Sequence, residues 1–290
     1  MNLISKLPGP LLVFLGAFCL SFGGLIVKSF EGATLWQILF WRQLFFVILV
    51  SIFLLFTYKK KILVAMYQSG LPGFIGGIIL GLGFSAYVFA MYNTTVANTN
   101  FIIQTQAIFL ALFGYLFLKE KISKLTLTSI ILAISGILLM VGNSLSPGQL
   151  SGNLVAFIMP SSFAVLIVIV RKYPNVDMIP LQLFAGIVAM LIGYFVSTKI
   201  NISMHDLFLA SLAGFFQVGL GFIFITLGAK KTLSAIVGIL MMTEAVLGPF
   251  WAWIFLDENL AFYSLIGGSI ILFAVFIQFY SLLIREKISK

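Results

Sequence analysis

Ten apolar runs, separated by short polar clusters, follow one another along the chain. Their limits are 9–28, 34–56, 70–91, 96–118, 125–142, 152–170, 180–198, 206–227, 233–255 and 261–283. Each is close to the roughly 20 residues a helix needs to cross hydrocarbon. None alternates polar with apolar positions as a membrane β-strand would. The pattern predicts an all-α integral membrane protein with ten transmembrane helices. The first run lacks a small-residue cleavage site and is followed by another span, so it is expected to stay as a helix.

Charge placement orients these spans. With the N-terminus inside, the inner segments hold fourteen basic residues, among them Lys59 to Lys61, Lys119, Arg171, Lys230 and Lys231. The outer segments hold Lys28 and Lys199, and Arg42 falls within a span, which accounts for all 17. Basic loops mark the cytoplasmic side, so both termini are expected there.

Composition agrees. Hydrophobic residues make up 61% of the 290 and charged residues 9%, against about 25% charged in soluble domains. The net charge of +9 sits in loops and suits anionic lipid better than nucleic acid. The single cysteine, Cys19, permits no intrachain disulfide. His205 is the only histidine, so no histidine-based metal site or triad is expected. No P-loop pattern occurs, and no pair of intramembrane acids is present. Catalytic residues, metal and cofactors are therefore not expected, and the chain reads as a non-enzyme.

Displacing the chain by 138 positions reveals a repeat. GLGF at 81–84 meets GLGF at 219–222, Thr94 meets Thr232, Thr105 meets Thr243, and Ala97 and Ala107 meet Ala235 and Ala245. Phe117, Leu118 and Glu120 meet Phe255, Leu256 and Glu258, and 12 of 45 positions match without a gap. The halves are 1–146 and 147–290. Five helices per half is an odd number, so the second copy must be inverted in the membrane. Inverted repeats are characteristic of secondary transporters, with the substrate near the midplane between the halves.

These residues resemble the EamA-type transporters of the drug/metabolite transporter superfamily. The likeness covers nearly the whole chain, through AMYNTTVAN…FLKE (90–120) and GAKKTLSAI…FLDE (228–258). Glu244 occupies the place of the family's Glu-Pro pair, although Ala245 stands where proline would be and the proline is Pro249. The first copy has Gln106-Ala107 there, and LSFGG (20–24) lacks the tryptophan often found in the first helix. Arg42 in FWRQL and the basic RKY (171–173) also match. The resemblance implies a bundle whose cavity is lined by helices 1–4 and 6–9, with helices 5 and 10 peripheral. It implies a small metabolite as cargo and a bacterial inner membrane as location.

Only Arg42 and Glu244 are charged deep within spans. Such a residue costs at least about 2.5–3.5 kcal/mol on insertion scales and faces a cavity or a partner. Counted from the span ends, both lie roughly 12–16 Å from the outer side, so they could meet in a salt bridge. The alternative is that Glu244 binds a cation, a proton, or each in turn, with Arg42 addressing a substrate carboxylate. A carboxylate withdrawn from water holds a proton more readily, chemistry suited to proton coupling.

Trp251 shares a helix face with Glu244 and offers an ammonium seat or an interfacial anchor; Trp253 reads as an anchor. Gln106 is the repeat counterpart of Glu244. Gln217, Tyr87, Ser21 and Ser162 are further candidate contacts, each also readable as interhelical glue. Gly73, Gly77 and Gly81, and Gly214 with Gly219 and Gly221, predict close helix contacts. The leading reading is a secondary transporter of an amino acid or other amine-bearing or zwitterionic solute, by alternating access, with proton coupling or exchange open. A multidrug or lipid-linked cargo is the second reading, and a membrane scaffold or sensor the third. Expected partners are the small-molecule substrate, membrane lipid and, as an open alternative, a second copy in a homodimer.

Overall fold

The computed structural model describes residues 7–94, 99, 102–141, 150–256 and 262–288. Glu258, Ala97 and the division between the halves at 146/147 lie outside the described residues. The helices are α1 (Gly9–Ser21 with Gly23–Lys28), α2 (Leu35–Tyr58), α3 (Ile62–Asn93), α4 (Ile102–Leu118) and α5 (Lys124–Val141). They continue as α6 (Leu150–Ala156 with Ile158–Lys172), α7 (Ile179–Val196), α8 (Met204–Leu212, Ala213–Leu220 and Gly221–Ala229), α9 (Ser234–Met241 with Thr243–Leu256) and α10 (Phe262–Ile288). Among the described residues there is no strand. Seven helices are long and apolar enough to cross a membrane: α1, α2, α3, α6, α7, α8 and α9. The parts of α4, α5 and α10 described as apolar helix are shorter.

Local chemistry sets several boundaries. Thr34 accepts from the Gln37 amide at 3.4 Å while the Gln37 side chain accepts from the Thr34 amide at 2.7 Å, a capping box that starts α2. Ser203 caps α8 through the Asp206 amide at 3.0 Å. The third run begins at Ile62 rather than near residue 70. Gly70 takes φ +60° and ψ −166°, a conformation that costs glycine little, and helical chain continues on both sides of that kink.

The 138-residue displacement recurs in the helix boundaries. Tyr58 and Val196, 138 positions apart, end α2 and α7. Each of α2, α4 and α5 packs against its own counterpart, α7, α9 and α10. The first two pairs run antiparallel. Gly186 lies against Phe46 and Gly193 against Phe40, while Gly114 lies against Ser234 and Gly238 against Ala107.

Packing is tightest where the glycines were expected to allow it. A Cβ on Gly81 would stand 2.7 Å from the Ala185 carbonyl of α7, and one on Gly214 would stand 2.5 Å from the Arg42 carbonyl of α2. The two contacts join equivalent helix pairs, α3 on α7 and α8 on α2. The rings of Phe46, Phe84 and Phe163 surround Phe222 with centroids 6.4, 5.1 and 6.0 Å away. All four are buried. Lipid is as apolar as these side chains, so packing rather than water exclusion stabilises such contacts.

The Gly214 contact yields a direct test. Gly214→Val should lower stability by about 1–3 kcal/mol through overpacking, measured as a fall in thermal midpoint of the detergent-solubilised protein. Gly24→Ala, where nothing lies within 4 Å, should leave the midpoint in place or raise it.

Candidate functional site

Helix interruptions organise the interior. α1 is broken at Phe22, α4 at Thr105, α6 at Phe157 and α9 at Met242. The α4 and α9 breaks match across the repeat, as Thr105 aligns with Thr243. Within α8, Ala213–Leu220 is π-helical, a wider winding frequent at functional sites. Broken helices leave carbonyls without their usual partners, and in hydrocarbon each must be satisfied within the protein. At the α1 break the Ser21 hydroxyl donates to the Phe18 carbonyl at 2.6 Å, and the Gln217 amide donates to the Leu20 carbonyl at 3.4 Å.

Glu244 sits in the first turn of the outer piece of α9, where a helix N-terminus favours negative charge. It is half-buried and, among the described residues, makes no hydrogen bond or ion pair. Arg42 is buried and its Nε has no partner. The guanidinium carbon lies 6.0 Å from the Tyr87 ring centroid, a cation–π contact at the outer limit of the range.

Arg42 and Glu244 therefore do not form the salt bridge that equal depth would allow. Helix registry separates them. The Arg42 carbonyl backs onto Gly214, one turn before Gln217 along α8, and Gln217 packs on Gly23. A Cβ on Gly248 would stand 3.7 Å from the Ser21 carbonyl, and Glu244 lies one turn before it along α9, about 6 Å.

Trp251 and Ser21 are brought together. The indole N–H donates to the Ser21 hydroxyl at 2.9 Å, and the ring stacks on Phe22 at 4.6 Å and meets Phe18 edge-on at 5.9 Å. Phe216 joins through Phe22 at 5.5 Å. One indole face and the N–H are thus committed to holding the α1 break against α8 and α9. Trp253 is exposed at 47%, in keeping with an anchor.

Gln106 is buried with its amide nitrogen unpartnered. Ser162 stands elsewhere, its hydroxyl donating to the Met159 carbonyl at 2.8 Å and packing on Gly83 between α6 and α3. Gln43, Gln104 and Thr243 were not anticipated, yet each is buried with a side-chain polar atom unpartnered. Their signal was available as polar positions in WRQL, FIIQTQ and MMTEA, beside residues already singled out.

A second polar cluster closes the end that carries the basic loops. Glu120, just past α4, pairs with Arg171 at the end of α6 and accepts from the Ser234 amide of α9 at 2.9 Å. Arg171 also donates to the Thr232 carbonyl beyond α8 and, at 3.2 Å, to the carbonyl of Ala229, the last residue of α8. Four helix ends from both halves meet in this cluster. At the opposite end Asp206 is buried and accepts from the amides of Glu31, Gly32 and Ala33 at 3.0, 3.3 and 3.0 Å.

A sequence profile of the EamA-like transporter family matches residues 7–142 and again residues 146–280. No curated protein sequence matches the chain. A crystal structure of a protein 15% identical in sequence superposes over 92% of this chain and 95% of its own, with a TM-score of 0.82. That likeness is one of fold.

The separation of the two charges predicts a flat double-mutant cycle. Arg42→Met and Glu244→Gln should each leave a folded protein, and their stability effects should add within about 0.5 kcal/mol, measured by thermal unfolding. A coupling of several kcal/mol, with each variant rescuing the other, would restore the salt bridge.

Proposed function

The chain belongs to the EamA-like transporter family, and on that footing we propose that it carries an amine-bearing or zwitterionic metabolite across the membrane by alternating access. Membership makes it a multi-pass membrane transporter of the drug/metabolite transporter superfamily. Members of this family are transporters rather than enzymes. The finer reading rests chiefly on one observation. Two opposite charges lie within the bundle, and neither Glu244 nor Arg42 is ion-paired among the described residues. A side chain that carries charge in hydrocarbon without a partner faces a cavity or a ligand path.

In this reading Glu244 takes the ammonium end of the substrate, a proton, or each in turn, and Arg42 takes the carboxylate end. Tyr87, over whose ring the guanidinium lies, orients Arg42. Gln106, with its free amide donor, and Thr243 supply polar contacts nearby. Trp251, Ser21 and Gln217 hold the interruptions of α1 and α8 that keep the site open.

The two halves are related by inversion in this proposal. Support comes from the antiparallel pairing of α2 with α7 and α4 with α9, each helix against its own counterpart. Ten spans, with the basic end cytoplasmic and both termini there, complete the arrangement. The Glu120–Arg171 cluster then acts as the cytoplasmic closure, holding α4, α6, α8 and α9 together while the site faces outward. A bacterial inner membrane suits this topology. The ring cluster of Phe18, Phe22, Phe216 and Trp251 favours, as a second reading, a more apolar multidrug or lipid-linked cargo.

A thermal-shift screen of amino acids, polyamines and other amines should identify ligands, followed by uptake of the hits into proteoliposomes. Glu244→Gln should then reduce uptake by at least about tenfold, the scale of one charge-assisted contact, and flatten its dependence on pH. Uptake by that variant equal to the wild type's at every pH would remove the carboxylate from the site.

A further inference from the structure

A second cavity lies at the basic end, away from Arg42 and Glu244. It has a volume of about 620 Å³ and is lined from α1 by Leu12, from α2 by Tyr58 and from α3 by Ala65 and Gln68. The opposite wall comes from Asn175 and Asp177 between α6 and α7 and from Lys230 and Lys231 after α8. Both halves of the chain contribute. Its size falls within the roughly 300–1,000 Å³ of small-molecule sites.

Lys230 is the informative residue. Its side chain is only 19% exposed, and its ammonium stands 3.9 Å from Asp177 Oδ1, too far for a hydrogen bond. Among the described residues it donates no hydrogen bond. Asp177 is already engaged, accepting from the Tyr58 hydroxyl at 2.8 Å and the Ile179 amide at 3.0 Å. A largely buried ammonium with its donors unused is costly. Gln68 and Asn175 place two more amides on the lining of the cavity, one on each wall, and among the described residues neither makes a hydrogen bond. Lys231 lines the same cavity and brings a second ammonium-bearing side chain to it.

We propose that this cavity binds a phosphate-bearing anion at the basic end, held by Lys230 and Lys231 with Gln68 and Asn175. Tetrahedral phosphate oxygens accept from several donors at once, and lysine serves such groups as a point charge. The anion bridges α3 and α8, one from each half, and favours the arrangement in which this end is closed. Its source is either a lipid headgroup or a free phosphate solute.

The test uses the full chain in phosphatidylcholine nanodiscs, with thermal midpoint as the readout. Phosphatidylglycerol is titrated into the bilayer in one arm, and inorganic phosphate is added at matched ionic strength in the other. Either should raise the midpoint of the wild type. A rise with phosphatidylglycerol alone identifies a headgroup, and a rise with inorganic phosphate identifies a solute. Lys230→Gln should weaken the apparent affinity by about tenfold, as loss of one charge-assisted hydrogen bond would. Lys172→Gln removes the same charge from an exposed position outside the cavity and should leave the affinity unchanged. Should Lys230→Gln not fold, Gln68→Ala and Asn175→Ala carry the test, each predicted to weaken binding several-fold. No midpoint shift with either additive, or equal loss in the Lys230 and Lys172 variants, overturns the proposal.

Discussion

Within the bundle a guanidinium and a carboxylate approach without meeting. Arg42 leans over Tyr87 with its Nε unpartnered, and Glu244 heads a helix segment with its carboxylate half-buried. In hydrocarbon the two charges would attract strongly at contact distance, so their separation has to be imposed by the scaffold. A backbone contact holds one side of it: Gly214 seats α8 against the Arg42 carbonyl. Filling that contact with a larger side chain would alter the registry and with it the distance between the charges. The site is thus a property of helix packing more than of any one residue.

The same logic explains why the helices are interrupted where they are. An unbroken helix satisfies its own backbone and presents only side chains. Breaks at Phe22, Thr105, Phe157 and Met242 free main-chain groups, and side chains of neighbouring helices take up some of them, as Gln217 and Ser21 do at α1. Trp251 then locks that region through its N–H and its stacked ring. The ends are handled differently. Glu120 and Arg171 draw four helix termini together, whereas Asp206 gathers the backbone amides of a single loop.

Much of this was legible in the sequence because the membrane imposes coarse rules. Span length, loop charge and the 138-residue repeat each translate directly into helices and their boundaries, and both copies match the same family. The glycine spacing of α3 and α8 likewise reported real close contacts. What escaped was set by tertiary geometry. No glycine or proline marks the break at Thr105 or Met242, and the π-helical turn of α8 has no local signature. Glu120 and Arg171 are 51 positions apart, and neither motif named the other. Ser162, polar at mid-span, bonds back to its own helix. Counting depth along the helices allowed an Arg42–Glu244 pair, and among the described residues no such ion pair forms.

The central claim is that these two unpaired charges address opposite ends of one substrate. Equilibrium binding of a zwitterion, its decarboxylated amine and its deaminated acid to wild type, Glu244→Gln and Arg42→Met tests it most directly. The account predicts that Glu244→Gln weakens the amine and the zwitterion but spares the acid, while Arg42→Met does the reverse. Equal loss for all three ligands in both variants, or none in either, would contradict it.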